Sequence, residues 1–211
     1  MKRELKNALS KQRIIMAALQ EFSVNGYENS SLNTVCQSHN LSKGIIYHHF
    51  SSKDELYLAC LNQCFRAFSE YMEKKKEGFT GTLEQNLKSY FEARMSFFLE
   101  NPVYSGIFLD ATFHPGKLAE EISVCRKEFE QLNISVLTGF LHGKTLREGL
   151  SLPIIVEDFR TYIEYFNLQF ARSFRKELQN IPTEEIFRRH EENFRRHLSI
   201  LLYGILEEND I

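Results

Sequence analysis

Residues 31–56 read SLNTVCQSHNLSKGIIYHHFSSKDEL, and the reading of the fold starts there. Leu32, Val35 and Cys36 recur at i, i+3, i+4, one face of a short helix. A serine ahead of it, Ser30 or Ser31, offers a hydroxyl that accepts from an orphan N–H of the first turn. His39-Asn40-Leu41 is the turn. Asn40 stands where a left-handed residue is needed, and asparagine tolerates that conformation better than other side chains. Ser42 caps a second helix, and Ile46 and Phe50 face inward at i, i+4. Lys43, Gly44, Tyr47 and His48 remain on the outer face: a cation, a bare backbone, a phenol and an imidazole. Such groups suit phosphates and base edges. Two short helices joined by a turn also occur in all-α proteins of other functions, so the pattern alone leaves DNA binding as one reading among several.

The residue order narrows this. LSKGIIYHHFSSKDELY resembles the recognition-helix segment of the TetR family of bacterial transcriptional regulators. The resemblance rests on Ser42, Gly44, the Tyr47-x-x-Phe50 pair, Ser52, Lys53, Asp54 or Glu55, and Leu56, and covers roughly residues 8–68. Three positions depart from the family pattern: Cys36 replaces the usual alanine, His39 another small residue, and Asn40 the usual turn glycine. The resemblance implies an all-α chain. A three-helix helix-turn-helix head (1–54) precedes a larger helical ligand-binding and dimerisation domain (55–211), with about nine helices in all. It also implies a homodimer on palindromic double-stranded operator DNA, repression as the expected sense, and release by a small effector. The DNA contacts it implies are Ser31, Ser42, Lys43, Gly44, Ile45, Tyr47, His48, His49 and Lys53. Among these, Ile45 would provide apolar readout of a thymine methyl.

Charge is distributed in keeping with such a head. Residues 1–54 hold seven Lys and Arg against four acids, while the rest holds 19 against 24. A basic head on an acidic body suits a polyanionic partner. Four cysteines, Cys36, Cys60, Cys64 and Cys125, fit a reducing compartment as free thiols. Cys60 and Cys64 at i, i+4 read as small core residues or as a pair able to share a metal or a redox bond. Nothing nearby completes a ligand set, so no metal or cofactor is expected. Met1–Arg13 is charged and lacks an apolar signal core, and Leu198–Leu206 is too short to span a bilayer, so a cytoplasmic location without membrane contact is expected.

Upstream of the motif, a helix is expected over Ser10–Asn25, with an apolar stripe of Ile14, Ile15, Ala18, Leu19 and Phe22. It ends at Gly26, which suits a left-handed cap. Lys2, Arg3 and Lys6 read as a loose arm, either solvated or touching DNA. Downstream, Lys53–Lys76 is a helix joining head to body.

Beyond Thr82 the pattern is helical throughout, punctuated by Gly and Pro: Thr82–Glu100, Tyr104–Phe113, Lys117–His142, Glu157–Gln179 and Thr183–Leu206. With 18 Phe and 9 Tyr in the chain, an apolar or aromatic effector is expected, bound by Tyr90, Phe91, Arg94, Phe98, Tyr104, Phe108, Asp110, His114, Phe129, Tyr162 and Phe166. Arg94, Asp110 and His114 would be the polar anchors; the alternative is that the aromatics simply fill the core. The last two helices carry more apolar side chains than one face needs. Phe170, Phe174, Phe187, Phe194, Leu198 and Leu201 are therefore assigned to a dimer seam. On the polar side, Glu184–Arg188, Glu185–Arg189, Glu191–Arg195 and Glu192–Arg196 are spaced as i, i+4 pairs.

An enzyme is the rival class. No glycine-rich phosphate loop, GxSxG or HExxH is present, and neither Asp110–His114 nor His190–Glu191 has a third group to complete a catalytic set. No catalytic residue is assigned. A second rival is a DNA-binding protein of the same fold without an effector.

Overall fold

The computed structural model describes residues 2–113, 116–174 and 181–206, without the side chains of Lys2 and of 171–174. Nine α-helices account for almost all of the described residues: α1 Lys2–Asn29, α2 Leu32–His39, α3 Lys43–His49, α4 Lys53–Lys76, α5 Leu83–Glu100, α6 Pro102–Phe113, α7 Ala119–Gly139, α8 Leu152–Phe174 and α9 Thr183–Gly204. A single 3-10 turn, Gly116–Leu118, precedes α7. The described residues contain no strand, only an isolated bridge between Leu146 and Leu206.

Local signals explain most boundaries. Gly26 breaks α1 with φ 71° and ψ 172°, a backbone conformation that side chains disfavour. Pro102 opens α6, where its missing N–H costs nothing. Two starts differ from expectation by more than two residues. α1 begins at Lys2 rather than Ser10, so the basic arm is helical. Glu4, Leu5, Lys6, Ala8 and Leu9 are all good helix formers, with no Gly or Pro to stop them. α8 begins at Leu152 rather than Glu157, because Pro153 is tolerated in a first turn. The end of that helix expected at Gln179 lies outside the described residues.

The chain forms two compact units: Met1–Ala67 with Asn101–Arg126, and Phe68–Glu100 with Lys127–Ile211. The first packs α1, α2, α3 and α6 around Ile14, Ala18, Leu19, Phe22, Val35, Ile46 and Phe50, all buried. Tyr57 is buried there too, its ring edge-on to Phe22 at 5.1 Å. The second has an aromatic centre. Phe68 lies 5.3 Å from Phe97, 5.4 Å from Phe98 and 4.9 Å from Phe129, and Phe98 lies 4.5 Å from Phe187. Offset and edge-on ring pairs of this kind add to the burial of their large apolar area.

Candidate nucleic-acid interface

Two caps set the geometry of the helix-turn-helix. The Ser31 hydroxyl accepts the Thr34 N–H at 3.1 Å, and the Ser31 N–H donates to Thr34 Oγ1 at 3.0 Å, a reciprocal box that satisfies orphan donors. Asn40 ends α2 in the left-handed conformation, φ 55° and ψ 41°. Ser42 Oγ then accepts the Ile45 N–H at 3.3 Å and starts α3.

Within α3 the buried side is Ile46, and Phe50 follows it into the core. The outer side is Lys43, Gly44, Tyr47 and His48, all exposed, with Tyr47 57% accessible. A Cβ built on Gly44 would meet nothing within 4 Å, so internal packing does not demand glycine there. Ile45 and His49 are half-buried. His49 Nε2 lies 3.1 Å from Ser10 Oγ on α1, and the His48 ring is 4.9 Å away. Burial, then the neighbouring His48 and Lys11, lower the His49 pKa from the ordinary imidazole value.

Four of the expected contact residues make bonds inside the protein: Ser42 and His49 as above, and Ser31 and Lys53. Ser31 is occupied as a cap. Lys53 Nζ donates to the carbonyls of Tyr27 at 2.8 Å and Ser30 at 3.0 Å, and sits 4.0 Å from the Tyr27 ring centre. Asp54 pairs with Lys117 at 2.7 Å and accepts the Tyr27 hydroxyl, and these hydrogen bonds lower its pKa.

The expected effector residues divide between the two units. Tyr104, Phe108 and Asp110 belong to the first unit. Gln63 Nε2 donates to the Tyr104 hydroxyl at 3.2 Å, Phe65 lies edge-on to Phe108 at 6.4 Å, and Asp110 Oδ2 accepts the Tyr57 hydroxyl at 2.7 Å. His114 lies outside the described residues. The others are in the second unit, where Arg94 is not an open anchor. It is buried and paired with Glu191, and its Nη1 donates to Asn133 Oδ1 at 3.1 Å. Tyr90 donates to the same oxygen at 2.6 Å. Phe194 gathers Phe91 at 5.6 Å, Phe166 at 5.2 Å and Tyr162 at 6.3 Å. Phe98 and Phe129 flank Phe68. These aromatics pack as core, which period-3.6 patterning cannot distinguish from a pocket wall.

Two grooves of that unit have other linings. A groove of about 590 Å³ runs between α5 and α9, past Glu84, Lys88, Glu192, Arg195, Arg196 and Tyr203. Another, of about 450 Å³, is lined by Lys76, Phe79, Thr82, Val136, Phe140 and Lys144 among others.

The residues expected in a dimer seam lie as follows. Phe170, Phe187, Phe194 and Leu198 are buried within their own chain, and Leu201 is half-buried. The Phe174 side chain lies outside the described residues. Among the described residues, the large apolar groups that α8 and α9 leave to solvent are Leu152 and Ile154 in the first turn of α8, then Tyr165, Leu168 and Ile200, the last three 60%, 49% and 66% exposed. Of the expected surface ion pairs, Glu184–Arg188 and Glu185–Arg189 form at 3.2 and 2.7 Å. Glu191 instead turns inward to Arg94, a partner that no local spacing could reveal.

The family model for "Bacterial regulatory proteins, tetR family" matches residues 14–60. Over 173 residues the chain is 21% identical to the biofilm operon icaADBC HTH-type negative transcriptional regulator IcaR of Staphylococcus epidermidis, covering 78% of this chain and 86% of that protein. It is 41% identical over 54 residues to the HTH-type transcriptional regulator UidR of Escherichia coli K12, spanning 26% of this chain and 28% of UidR. Among solved structures, the transcriptional regulator FadR from Bacillus subtilis in complex with stearoyl-CoA superposes with a TM-score of 0.63 at 17% identity, covering 86% of this chain and 95% of that one. These relatives are transcriptional regulators, not enzymes.

Proposed function

Given that the chain belongs to the tetR family of bacterial regulatory proteins and is a transcriptional regulator, we propose that it represses by binding a palindromic operator as a homodimer and that a small effector releases it. The observation that carries the DNA half is the two-sidedness of α3. Ile46 and Phe50 anchor it in the core, while Lys43, Gly44, Tyr47 and His48 face solvent together. Lys43 supplies a phosphate contact, Gly44 leaves room for close approach, and Tyr47 and His48 reach phosphate or base edges. Half-buried Ile45 and His49 sit at the rim, and Ser42 presents its helix start. Lys53 and Ser31 act through the shape of the head.

One such head reads only a few base pairs. Two heads one helical turn apart, about 34 Å, read a palindrome. Tyr165 and Leu168 on α8 and Ile200 on α9 support a seam between copies, because exposed apolar side chains gain by burial against a partner. The effector reading is supported by the two grooves of the second unit, both within the size range of small-molecule sites, roughly 300–1,000 Å³. FadR, a structural neighbour, was solved with stearoyl-CoA. Among the described residues no helix is long and apolar enough to cross a membrane, and a regulator of DNA works in the cytoplasm.

Selection of bound duplexes from a random pool, using the 211-residue chain, tests the reading. A palindromic consensus that Tyr47→Ala fails to retain is expected. Recovery of no consensus sinks it. A thermal-shift screen of lipophilic acids and neutral aromatics, followed by operator release, tests the effector half separately.

A further inference from the structure

The first unit contains α6, which the chain reaches only after α4 and α5. Two glycines bring α6 against α1. A Cβ on Gly106 of α6 would lie 2.3 Å from the Ser23 carbonyl oxygen of α1. A Cβ on Gly26 would lie 2.6 Å from Asp110 Oδ1, and the φ of 71° at Gly26 is strained for any side chain. At that break one carboxylate oxygen gathers two helices. Asp110 Oδ2 accepts the Tyr27 N–H at 2.9 Å and the Tyr57 hydroxyl of α4 at 2.7 Å. Four residues on, Ser31 caps α2. Between them, the carbonyls of Tyr27 and Ser30 hold Lys53 at the start of α4. The residues that launch α2 and the helix that follows α3 are thus tied to a single side chain on α6.

We propose that Asp110 is a positioning residue for operator reading, which makes α6 a working part of the reading head. The inference rests on the operator-binding function proposed above. The physical basis is a difference in tolerance. Coulomb attraction to phosphates survives a small rotation of the helix-turn-helix, whereas hydrogen bonds to base edges do not. Freeing the α1–α2 junction therefore erodes specificity before it erodes general DNA affinity.

The experiment uses the 211-residue chain with Asp110→Ala, Asp110→Asn or Tyr57→Phe. Each is titrated with the selected operator and with an unrelated duplex at one salt concentration, and hydrogen exchange at the Tyr27 amide is followed without DNA. For Asp110→Ala the operator-to-unrelated affinity ratio is expected to fall about tenfold, the scale of one lost base-pair contact. Affinity for the unrelated duplex stays near wild type, and Tyr27 exchange quickens. Asp110→Asn keeps an acceptor oxygen and is expected to restore both. Tyr57→Phe keeps the packing and is expected to lower the ratio in the same direction; should Asp110→Ala not fold, this variant and Asp110→Asn decide. An unchanged ratio, an equal fall for both duplexes, or no rescue by asparagine overturns the positioning role. A wild-type protein with no preference between the duplexes would instead overturn the operator-reading function itself.

Discussion

Arg94 and Glu191, 97 residues apart in the chain, meet in the core of the second unit through two hydrogen bonds, Nε to Oε2 at 2.7 Å and Nη2 to Oε1 at 2.9 Å. Both side chains are almost fully buried, at 3% and 1% exposure. His190 extends the pair: its Nδ1 lies 3.2 Å from Glu191 Oε1 and its Nε2 2.9 Å from Asn167 Oδ1. The network links α5, α7, α8 and α9, and its two central charges are paired and hydrogen-bonded. A buried ion pair of this kind contributes little relative to apolar residues of the same shape, but breaking it leaves a bare charge.

The first prediction concerns that asymmetry. Glu191→Ala or Arg94→Ala should lose about 3–5 kcal/mol of stability in chemical denaturation. Replacing both with apolar residues of similar volume should recover most of it. If each single change cost under about 1 kcal/mol, the pair would behave as a solvated surface contact and not as the buried one described.

The same pair sets an acid limit. Burial pushes the Glu191 carboxyl up, but the charge and hydrogen bonds of Arg94, aided by His190, outweigh it and hold the pKa at about 2. Because the folded value lies below the usual 4.5, the stabilisation is present above about pH 4.5 and is lost as pH falls toward 2. Thermal unfolding between those limits should steepen for wild type and flatten for Glu191→Gln.

Lys43 and Lys53 should separate by salt dependence. Lys43→Ala is expected to weaken binding to all duplexes and to reduce the salt slope by about one. Lys53→Met should lower the melting temperature through the lost bonds to Tyr27 and Ser30, with little change in slope. A reversed outcome would put Lys53 on the phosphate and Lys43 off it.

Operator binding should weaken as pH rises. Burial, then His48 and Lys11, lower the His49 pKa in the free protein, so the fold favours the neutral ring. Nearby phosphates favour the imidazolium, and binding then takes up a proton. Affinity is therefore greatest on the acidic side of the shifted pKa and falls above it. His49→Gln should remove part of this dependence; an identical pH profile for that variant would place the proton elsewhere.

The seam between copies can be told from the core by one pair of variants. Ile200→Glu, on an exposed position, should yield a folded monomer with poor operator affinity. Phe194→Glu puts a charge among Phe91, Tyr162 and Phe166 and should unfold the second unit rather than split a dimer. Sedimentation together with far-ultraviolet dichroism distinguishes the two.

What the sequence determined by itself was local. Ser31, Asn40 and Ser42 specify their caps and turn through bonds to backbone a few residues away. Ile46 and Phe50 declare the inner face of α3 through helical spacing, and Gly26 marks a break that no side chain would tolerate. Each signal acts within about one or two turns, where periodicity and capping rules hold. Tertiary structure decided what depends on partners distant in the chain. Glu191 looks like the acid of a surface pair with Arg195 until α5 brings Arg94 to it. Asp110 looks like an effector anchor until α6 meets Tyr27 and Tyr57. Phe187, Phe194 and Leu198 look like a seam until the second unit encloses them, leaving Ile200 and Tyr165 outside. An apolar stripe states that a face must be buried, but not against what. Only the packing of helices far apart in the chain supplies that answer, because the contact energy is the same whichever surface covers it.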